Sequence, residues 1–182
     1  MKKEGFSAAG ITAVIALFCF CGDSGTNATV EQPTTVPIAS LRLDSTSVPG
    51  WADSFYVTGD TSQVFDAIDG GAIVDIQKGM RYFSRQEMEN GTHSAKLDIF
   101  DFVTVQASKN MFSYTAKNTG ALPWRSYSPT SAVITNSPYY TVVTAQINKY
   151  YFELTFAVEN DDTVFTEASA NSFYNKFVTL LK

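Results

Sequence analysis

Cysteine and histidine are almost missing from this sequence. Among its 182 residues there are two cysteines, Cys19 and Cys21, and one histidine, His93. Because no cysteine follows position 21, we predict a folded part without a structural disulfide, a thiolate nucleophile or a cysteine-ligated metal. His93 lies two residues after the turn signal Asn90-Gly91, and a hairpin tip holds a catalytic base poorly. The sequence therefore predicts no metal, no cofactor and no histidine-based catalysis.

Basic residues are also scarce. The chain has 13 Lys and Arg residues against 18 Asp and Glu residues, so its net charge is −5. A protein that binds a phosphate backbone needs a basic face, which excludes nucleic acid as a partner. The sequence also lacks a phosphate-binding loop, a G-x-S-x-G nucleophile elbow and an H-E-x-x-H zinc motif.

Long apolar runs are missing except near the N-terminus. Residues 8–20 are uncharged and mostly apolar, and Lys2 and Lys3 precede them. The run has the length of the hydrophobic region of a signal peptide and falls short of the ~20 residues of a transmembrane helix. We predict a signal peptide over residues 1–20, an exported protein, and no membrane-spanning segment in the mature chain.

The two cysteines stand at the end of this apolar segment. Their position resembles a bacterial lipoprotein signal, in which a cysteine becomes the lipidated first residue of the mature protein. Cys21 is the better candidate for lipid attachment because the polar sequence Gly22-Asp23-Ser24-Gly25 follows it, and Cys19 is the alternative. We predict a membrane partner, reached through this lipid anchor, in a bacterial cell envelope. Release into the periplasm or the medium is the alternative.

The chain after the cysteines changes composition. Residues 22–47 are rich in Ser, Thr, Pro and Gly and contain no aromatic residue. Such a stretch buries little apolar surface and suits a spacer. We predict a lipid anchor and disordered spacer over residues 21–47 and a single domain over residues 48–182, a length typical of one domain.

The first part of the domain has a helical pattern. Apolar residues recur three or four positions apart from Phe65 to Ile76, which predicts one helix from about Thr61 to Lys78. Asp60 and Gln63 have the spacing of a capping box at its start. Two glycines within this stretch either break the helix or let a neighbouring backbone approach closely.

Patterns typical of β-strands dominate the remainder of the domain. Asn90-Gly91 predicts a hairpin turn, and the strand that follows, Ala95 to Val105, is apolar on both faces. Phe100 and Phe102 point to one side, and the odd-numbered apolar residues point to the other. Such a strand is typical of the centre of a sheet. Further strands are predicted at Ala132–Thr135, Tyr139–Ile147 and Tyr150–Ala157, with helices beginning at Ser108 and at Asp162 or Thr163.

The order of these elements predicts the fold class. Helix, two strands, helix, three strands and helix indicate an α+β domain, with an antiparallel sheet packed against about three helices. An internal duplication of a helix–strand–strand unit is a further hypothesis from the same order.

A set of short motifs runs through the domain. They are Trp51, Tyr56–Asp60, Val64–Ala72, Gly79–Met80, Leu97–Phe102 and Tyr150–Phe152. In these motifs the chain resembles a group of bacterial exported proteins classed only as a domain of unknown function. The resemblance covers most of residues 49–182 and is densest between Trp51 and Phe112. It implies export and an α+β fold, and it brings no catalytic residue and no substrate.

Two carboxylates are candidates for chemistry. Asp69 lies on the predicted first helix, and Asp101 lies in the apolar row of the central strand, where an ionised group needs a partner. Because glycoside hydrolysis needs only two placed carboxylates, one hypothesis is a small hydrolase of envelope or extracellular polymers. The favoured interpretation is structural: Asp69 would bond local backbone amides, and Asp101 would tie down a helix start or a loop.

Aromatic residues offer a route to binding. The chain has 14 Phe, 9 Tyr and 2 Trp residues, including the pairs Tyr139-Tyr140 and Tyr150-Tyr151. Exposed aromatic surfaces bind sugars or proteins, whereas paired aromatics in strands usually straddle a sheet and pack on both sides. Trp124 and Tyr127, in a proline-flanked loop, are the candidate residues of a secreted carbohydrate-binding module.

The favoured function is a non-enzymatic envelope lipoprotein. Its extracytoplasmic domain would bind a ligand or a partner, either an envelope protein or a glycan. The hydrolase and the carbohydrate-binding module are the alternatives.

Overall fold

Seven antiparallel strands form one sheet in the computed structural model, which describes residues 36–68, 72–124, 132–137, 139–157 and 163–181. The strands are β1 Ala52–Asp60, β2 Met80–Asn90, β3 His93–Phe102, β4 Leu122–Pro123, β5 Ala132–Asn136, β6 Tyr140–Ile147 and β7 Tyr150–Ala157. Their order across the sheet is β1-β2-β3-β7-β6-β5-β4. The helices are α1 Val64–Ala67, α2 Ala72–Gln77, α3 Val105–Thr119 and α4 Thr163–Leu181, preceded by a 3-10 helix at Ile38–Leu41. The predicted α+β class with an antiparallel sheet is confirmed.

Strand β3 divides the core into two parts. Its odd-numbered residues Leu97 and Ile99 pack with α4 residues such as Phe173 and Phe177, and we call this side the α4 face. Its even-numbered residues Phe100 and Phe102 pack with Met111 and Phe112 of α3 on the other side, the α3 face. The predicted split into two apolar rows is therefore confirmed as far as Phe102, where β3 ends. The predicted end at Val105 is wrong, because Val103 is exposed and Val105 is the first residue of α3.

Tight turns join the two central hairpins. Gly91 is the first of the two residues between β2 and β3 and has a φ of 62°, a conformation that glycine adopts without strain. Asn148, the first residue between β6 and β7, has a φ of 53°, which asparagine tolerates better than most residues. Both turns lie at the hairpins that the sequence predicted.

The predicted helix from Thr61 to Lys78 is wrong as a single element. Helix α1 ends at Ala67, because Ile68 has left the helical region with φ −125° and ψ 89°. Helix α2 begins at Ala72. The predicted bond between Asp60 and Gln63 is present, since the Gln63 side chain accepts a hydrogen bond from the Asp60 backbone N–H at 3.2 Å, but the helix begins later, at Val64. Asp60 is the last residue of β1, so this bond closes a turn between a strand and a helix.

Strand β1 was not predicted. It is an edge strand that pairs only with β2, and its register shifts between Asp53 and Phe55. An edge strand is solvated on one side and does not need a clear alternation of apolar and polar residues. The lack of pattern in residues 52–60 follows from this position.

The segment before β1 is part of the folded domain. Leu41 and Leu43 are 0% exposed and belong to the core of the α4 face. The Gln86 side chain accepts a hydrogen bond from the Leu43 N–H at 2.9 Å and donates one to the Leu43 carbonyl. The Tyr150 hydroxyl, whose pKa burial raises to about 12, donates to the Val36 carbonyl.

These contacts correct the predicted spacer. Residues 36–47 are packed on the domain, so the predicted boundary at residue 48 lies too late. A few apolar side chains in a polar sequence are enough to dock the segment on a preformed core. Residues 1–35, which include the predicted signal peptide and both cysteines, lie outside the described residues. In the part of the chain that the structure describes, no helix has the length and apolar character needed to cross a membrane.

Helix α3 begins three residues before the predicted start at Ser108. Thr104 is its N-cap, and its hydroxyl accepts a hydrogen bond from the Ala107 N–H at 3.0 Å. Ser108 is buried instead, and its hydroxyl donates to the Asn148 carbonyl at 2.8 Å. This bond fixes the first turn of α3 against the β6–β7 turn, and the rest of the helix extends over β6 and β7.

Candidate ligand-binding site

A row of polar residues crosses the α3 face of the sheet. The strand register places Arg85 opposite Asp98, Asp98 opposite Glu153, and Glu153 opposite Thr144. On one side of this polar row, Phe83, Phe100 and Tyr151 are buried beneath the helices. On the other side the face is free of helices among the described residues, and we call that part the open half.

Arg85 neutralises only one of the carboxylates in this region. Its Nε lies 2.6 Å from Asp98 Oδ1, and its Nη2 lies 2.9 Å from Asp98 Oδ2. Its remaining terminal nitrogen donates to the Ala67 carbonyl at the end of α1. The two-point pair holds the guanidinium in a fixed plane, as is usual for arginine and carboxylate partners. Arg85 therefore also positions α1 on the sheet.

Two further carboxylates lie near this pair. Asp75 on α2 is 6% exposed, and its Oδ1 has no hydrogen-bond partner. Burial, followed by the charges of Glu153 and Asp98, raises the pKa of Asp75 to about 7. Burial also raises the pKa of Glu153, although the Tyr151 hydroxyl donates a hydrogen bond to its carboxylate. The polar row thus carries more negative than positive charge in a poorly solvated place.

The open half contains two concave regions that meet at Tyr140. The first, which we call the outer groove, has a volume of about 370 Å³. The second, the threonine cleft, has a volume of about 330 Å³ and ends at Glu153. Both volumes lie in the lower range of small-molecule sites. The outer groove is lined by residues that include Glu87, Glu89, Ser94, Lys96, Tyr139 and Thr155, and the threonine cleft by Thr115, Thr119, Thr135, Val142 and Thr144.

Aromatic side chains stand at the junction of the two regions. Tyr139 is 78% exposed and Tyr140 is 45% exposed, and both line the outer groove. This pair was among the aromatic candidates from the sequence, and it lies on the surface. Tyr150 and Tyr151 are both 0% exposed and lie in the cores of opposite faces. The straddling interpretation is therefore confirmed for Tyr150-Tyr151 only.

Asp101 has a structural environment. Its side chain is buried, and Lys149 Nζ lies 2.9 Å from Oδ1 and 3.0 Å from Oδ2, with hydrogen-bond geometry only to Oδ2. Arg81 Nη2 lies 3.3 Å from Oδ2. These contacts tie β3 to the β6–β7 turn, as the structural interpretation of Asp101 expected. Asp69 lies outside the described residues, so the catalytic pairing of Asp69 with Asp101 stays a prediction.

Trp124 is not a surface residue. It is 5% exposed and packs edge to face on Tyr174 of α4, with ring centres 5.6 Å apart. The expectation that Trp124 forms an exposed platform is wrong, because the chain after β4 turns this side chain into the core of the α4 face. Tyr127 lies outside the described residues.

The remaining candidate for chemistry was His93, and the structure places it at the first position of β3, opposite Asn90. It therefore belongs to the strand and not to the turn. Within the described ranges, the structure contains no group of three or more His, Cys, Asp or Glu side chains arranged to hold a metal ion.

Sequence reasoning missed the acidic residues of the polar row. Glu153 is the one charged residue in the mainly aromatic and apolar strand Tyr150–Ala157, and that contrast was the available signal. Asp98 gave a similar signal, since it lies between Leu97 and Ile99 in β3. Asp75 gave none, because its helix has too few turns to show a buried face.

Comparisons with known proteins show a likeness in structure and none in sequence. No family model and no curated protein matches the sequence. The fold is similar to the crystal structure of the extracellular domain of PknH from Mycobacterium tuberculosis, with a TM-score of 0.52 and 10% identity, over 80% of this chain and 97% of that chain. The chain shares the fold of that domain. At this identity the likeness concerns the fold alone, and the resemblance to exported proteins of unknown function stays a prediction.

Proposed function

We propose that the chain is an exported, non-enzymatic protein of a bacterial cell envelope, whose domain binds a ligand on the open half of the α3 face. Lipid attachment at Cys21 and membership of the exported family that its motifs resemble are part of the proposal. The observation that carries it is the pair of adjoining concave regions, 370 and 330 Å³, of which the first is lined by strand residues and Tyr139 and the second lies between the sheet and the last turns of α3. The PknH domain with a similar fold is itself extracellular.

The shape of the open half favours a small molecule or a segment of a polymer over a flat protein partner. The two regions are concave and share Tyr140, so a ligand that fills one can continue into the other. Polar side chains and exposed tyrosine rings line them together, a combination that suits a hydroxylated ligand such as a glycan. Flat protein interfaces instead present an apolar core with a polar rim.

Native mass spectrometry of the protein purified from its own host's envelope tests this proposal without a guess at the ligand. We expect a chain that begins at Cys21, carries acyl chains and retains a bound small molecule. A chain that begins elsewhere without lipid would contradict the anchor. A preparation without any bound molecule would contradict a resident ligand.

A matched pair of variants locates the bound molecule. Thr155→Trp fills the outer groove with an indole ring, and we expect it to remove the bound mass. Ser172→Trp makes the same change on the exposed surface of α4, on the opposite side of the sheet, and should retain it. Loss from both variants would contradict a site on the open half, and retention by both would contradict a site in the outer groove.

A further inference from the structure

We propose that the threonine cleft binds its ligand through a primary ammonium group, with Glu153 as the counter-ion and threonine hydroxyls as partners for hydroxyl groups of the ligand. This inference rests on the proposed function, because it takes the open half as the ligand site. It adds the charge and the chemical class of the ligand.

The first argument is an imbalance of charge. Glu153 lines the inner end of the cleft and belongs to a group of three carboxyl side chains, with Asp75 and Asp98, that contains one guanidinium, which is bonded to Asp98. Among the described residues, neither Asp75 nor Glu153 has a cationic group within 4.0 Å. Buried carboxylates are normally paired or hydrogen-bonded. A cation is therefore the chemical group that this end of the cleft lacks.

The second argument is the unsatisfied Asp75. This side chain is more than nine-tenths buried, and its Oδ1 has no hydrogen-bond partner. It lies close enough to Glu153 for the charge of Glu153 to raise its pKa. A positive charge bound next to Glu153 would lower the pKa of Asp75. An ammonium group bound to Glu153 would thus reduce the repulsion between the two carboxylates, although Asp75 itself does not line the cleft.

Lys96 is the cation on the neighbouring strand, and it does not complete this site. The register places it opposite Thr155, two pairs further along the strands than Glu153. Its charge lowers the pKa of Glu153, but burial is the stronger effect and the pKa remains raised. Lys96 lines the outer groove and not the threonine cleft.

Glu153 has room for a ligand. The Tyr151 hydroxyl donates to its Oε1, and a carboxylate offers about four acceptor positions in all. Thr115 fixes the tyrosine, since the two hydroxyl oxygens are 2.9 Å apart. Glu153 is therefore held in place from the protein side, and its carboxylate is available at the inner end of the cleft.

The walls indicate what the rest of the ligand carries. Thr119 on α3 and Thr135 on β5 both line the cleft and are in contact, with hydroxyl oxygens 3.5 Å apart, and Thr144 on β6 lies opposite Glu153. The Thr119 hydroxyl donates to the Thr115 carbonyl at 2.9 Å, and a hydroxyl oxygen can accept further hydrogen bonds. An amino alcohol or an amino sugar brings hydroxyl groups that can bond to this lining, whereas an alkyl amine brings none.

The test compares two probes that differ in one group. Glucamine is a linear amino polyol, and sorbitol has a hydroxyl in place of its amine. Calorimetric titration of the processed protein at about pH 8 keeps an alkylammonium charged and lies above the pKa of about 7 of Asp75. We expect glucamine to bind about 10- to 100-fold more tightly than sorbitol, the usual worth of a charge-assisted hydrogen bond.

Two charge-neutral variants complete the design. Glu153→Gln keeps the size of the side chain and should remove the preference for glucamine. Glu167→Gln removes the same charge from the exposed surface of α4 and should keep the preference. A preference that survives in Glu153→Gln, or that disappears in Glu167→Gln, would overturn the role of Glu153.

The comparison of the two probes needs no variant, so it decides the question even where Glu153→Gln does not fold. Equal binding of glucamine and sorbitol would overturn the ammonium inference while leaving a ligand site on the open half. Binding of neither probe would also overturn it. The bound mass from the host's envelope and its loss in Thr155→Trp decide the proposed function separately.

Discussion

The two faces of the sheet are built from the same strands and differ in what they contain. The α4 face is a continuous apolar core in which aromatic rings meet edge to face, as Trp51 does with Phe173 at 5.4 Å. The α3 face is apolar only beneath its helices and then changes to the polar row and the open half. Because side chains alternate along a strand, β3 and β7 can stabilise the fold with one set of residues and hold polar groups with the other.

Removing an aromatic ring from the α4 face should have the largest effect. Phe173→Ala leaves a cavity between Trp51 and Phe156, and we expect a loss of about 3–5 kcal/mol in the free energy of unfolding. Urea denaturation measures it. Phe55→Ala, at a position on the α3 face that is 47% exposed, should change the same quantity by less than about 0.5 kcal/mol. Equal losses would mean that the two faces do not differ in this way.

Removing the buried charge of Asp75 should stabilise the α3 face. The raised pKa means that the folded state binds the proton of the Asp75 carboxyl group more tightly than the unfolded state does. The stabilisation from this proton is complete below the unfolded pKa of 3.8 and is lost as the pH rises through about 7. At pH 8 we expect the free energy of unfolding of Asp75→Asn to exceed that of the unchanged protein by about 2–4 kcal/mol. At about pH 4 the two should differ little.

Urea denaturation at both pH values checks the Asp75 prediction. The control is Asp66→Asn, which removes one carboxylate from an exposed position on α1. The same advantage for Asp75→Asn at both pH values would show that packing, and not charge, is responsible.

Gln86 is a buried polar residue of the α4 face whose amide has partners on both sides. Gln86→Leu removes the acceptor for the Leu43 N–H and the donor for its carbonyl, and we expect a loss of about 1–3 kcal/mol. Hydrogen exchange of the Leu43 amide should become faster. Unchanged exchange at Leu43 would contradict a stabilising role of the two hydrogen bonds between Gln86 and Leu43. A backbone amide in β6 serves as the reference within the same protein.

The smallest effect concerns the helix that forms a wall of the threonine cleft. Thr104→Ala removes the N-cap of α3, and we expect a loss of about 1 kcal/mol in thermal or urea denaturation. Thr179→Ala deletes a hydroxyl that bonds within α4 and caps no helix end, so it should cost less. A larger loss for Thr179→Ala would reverse the expected order.

The parts of the fold that the sequence predicted are those with a complete local pattern. Strand β3 has apolar residues on both faces, and strands β5 to β7 lie within a residue or two of their predicted bounds. Strand β1 and the segment at Leu41 and Leu43 lack such a pattern. Their positions depend on the edge of the sheet and on a core built by distant residues, which no local window contains.

The site was less predictable than the fold for a related reason. Tyr139 and Tyr140 are adjacent and aromatic, so one sequence pattern indicated them. Asp75, Asp98 and Glu153 come from a helix and two strands, and only the register of β3 with β7 and the placement of α2 bring them together. Their proximity is a property of the packed sheet, and single carboxylates in a sequence do not show which of them will share a buried site.

If the proposed lipid is attached at Cys21, the docked segment from Val36 to Leu43 would limit the distance between the domain and the membrane. A free chain from residue 22 to residue 47 would reach about 90 Å at full extension, whereas the part that precedes the docked segment reaches about 50 Å. With Cys21 as the anchor, the domain would therefore stay close to the lipid surface. A force on the anchor would act first on the hydrogen bond to the Val36 carbonyl and on the buried leucines of the α4 face. The threonine cleft lies on the opposite face of the sheet, away from these contacts.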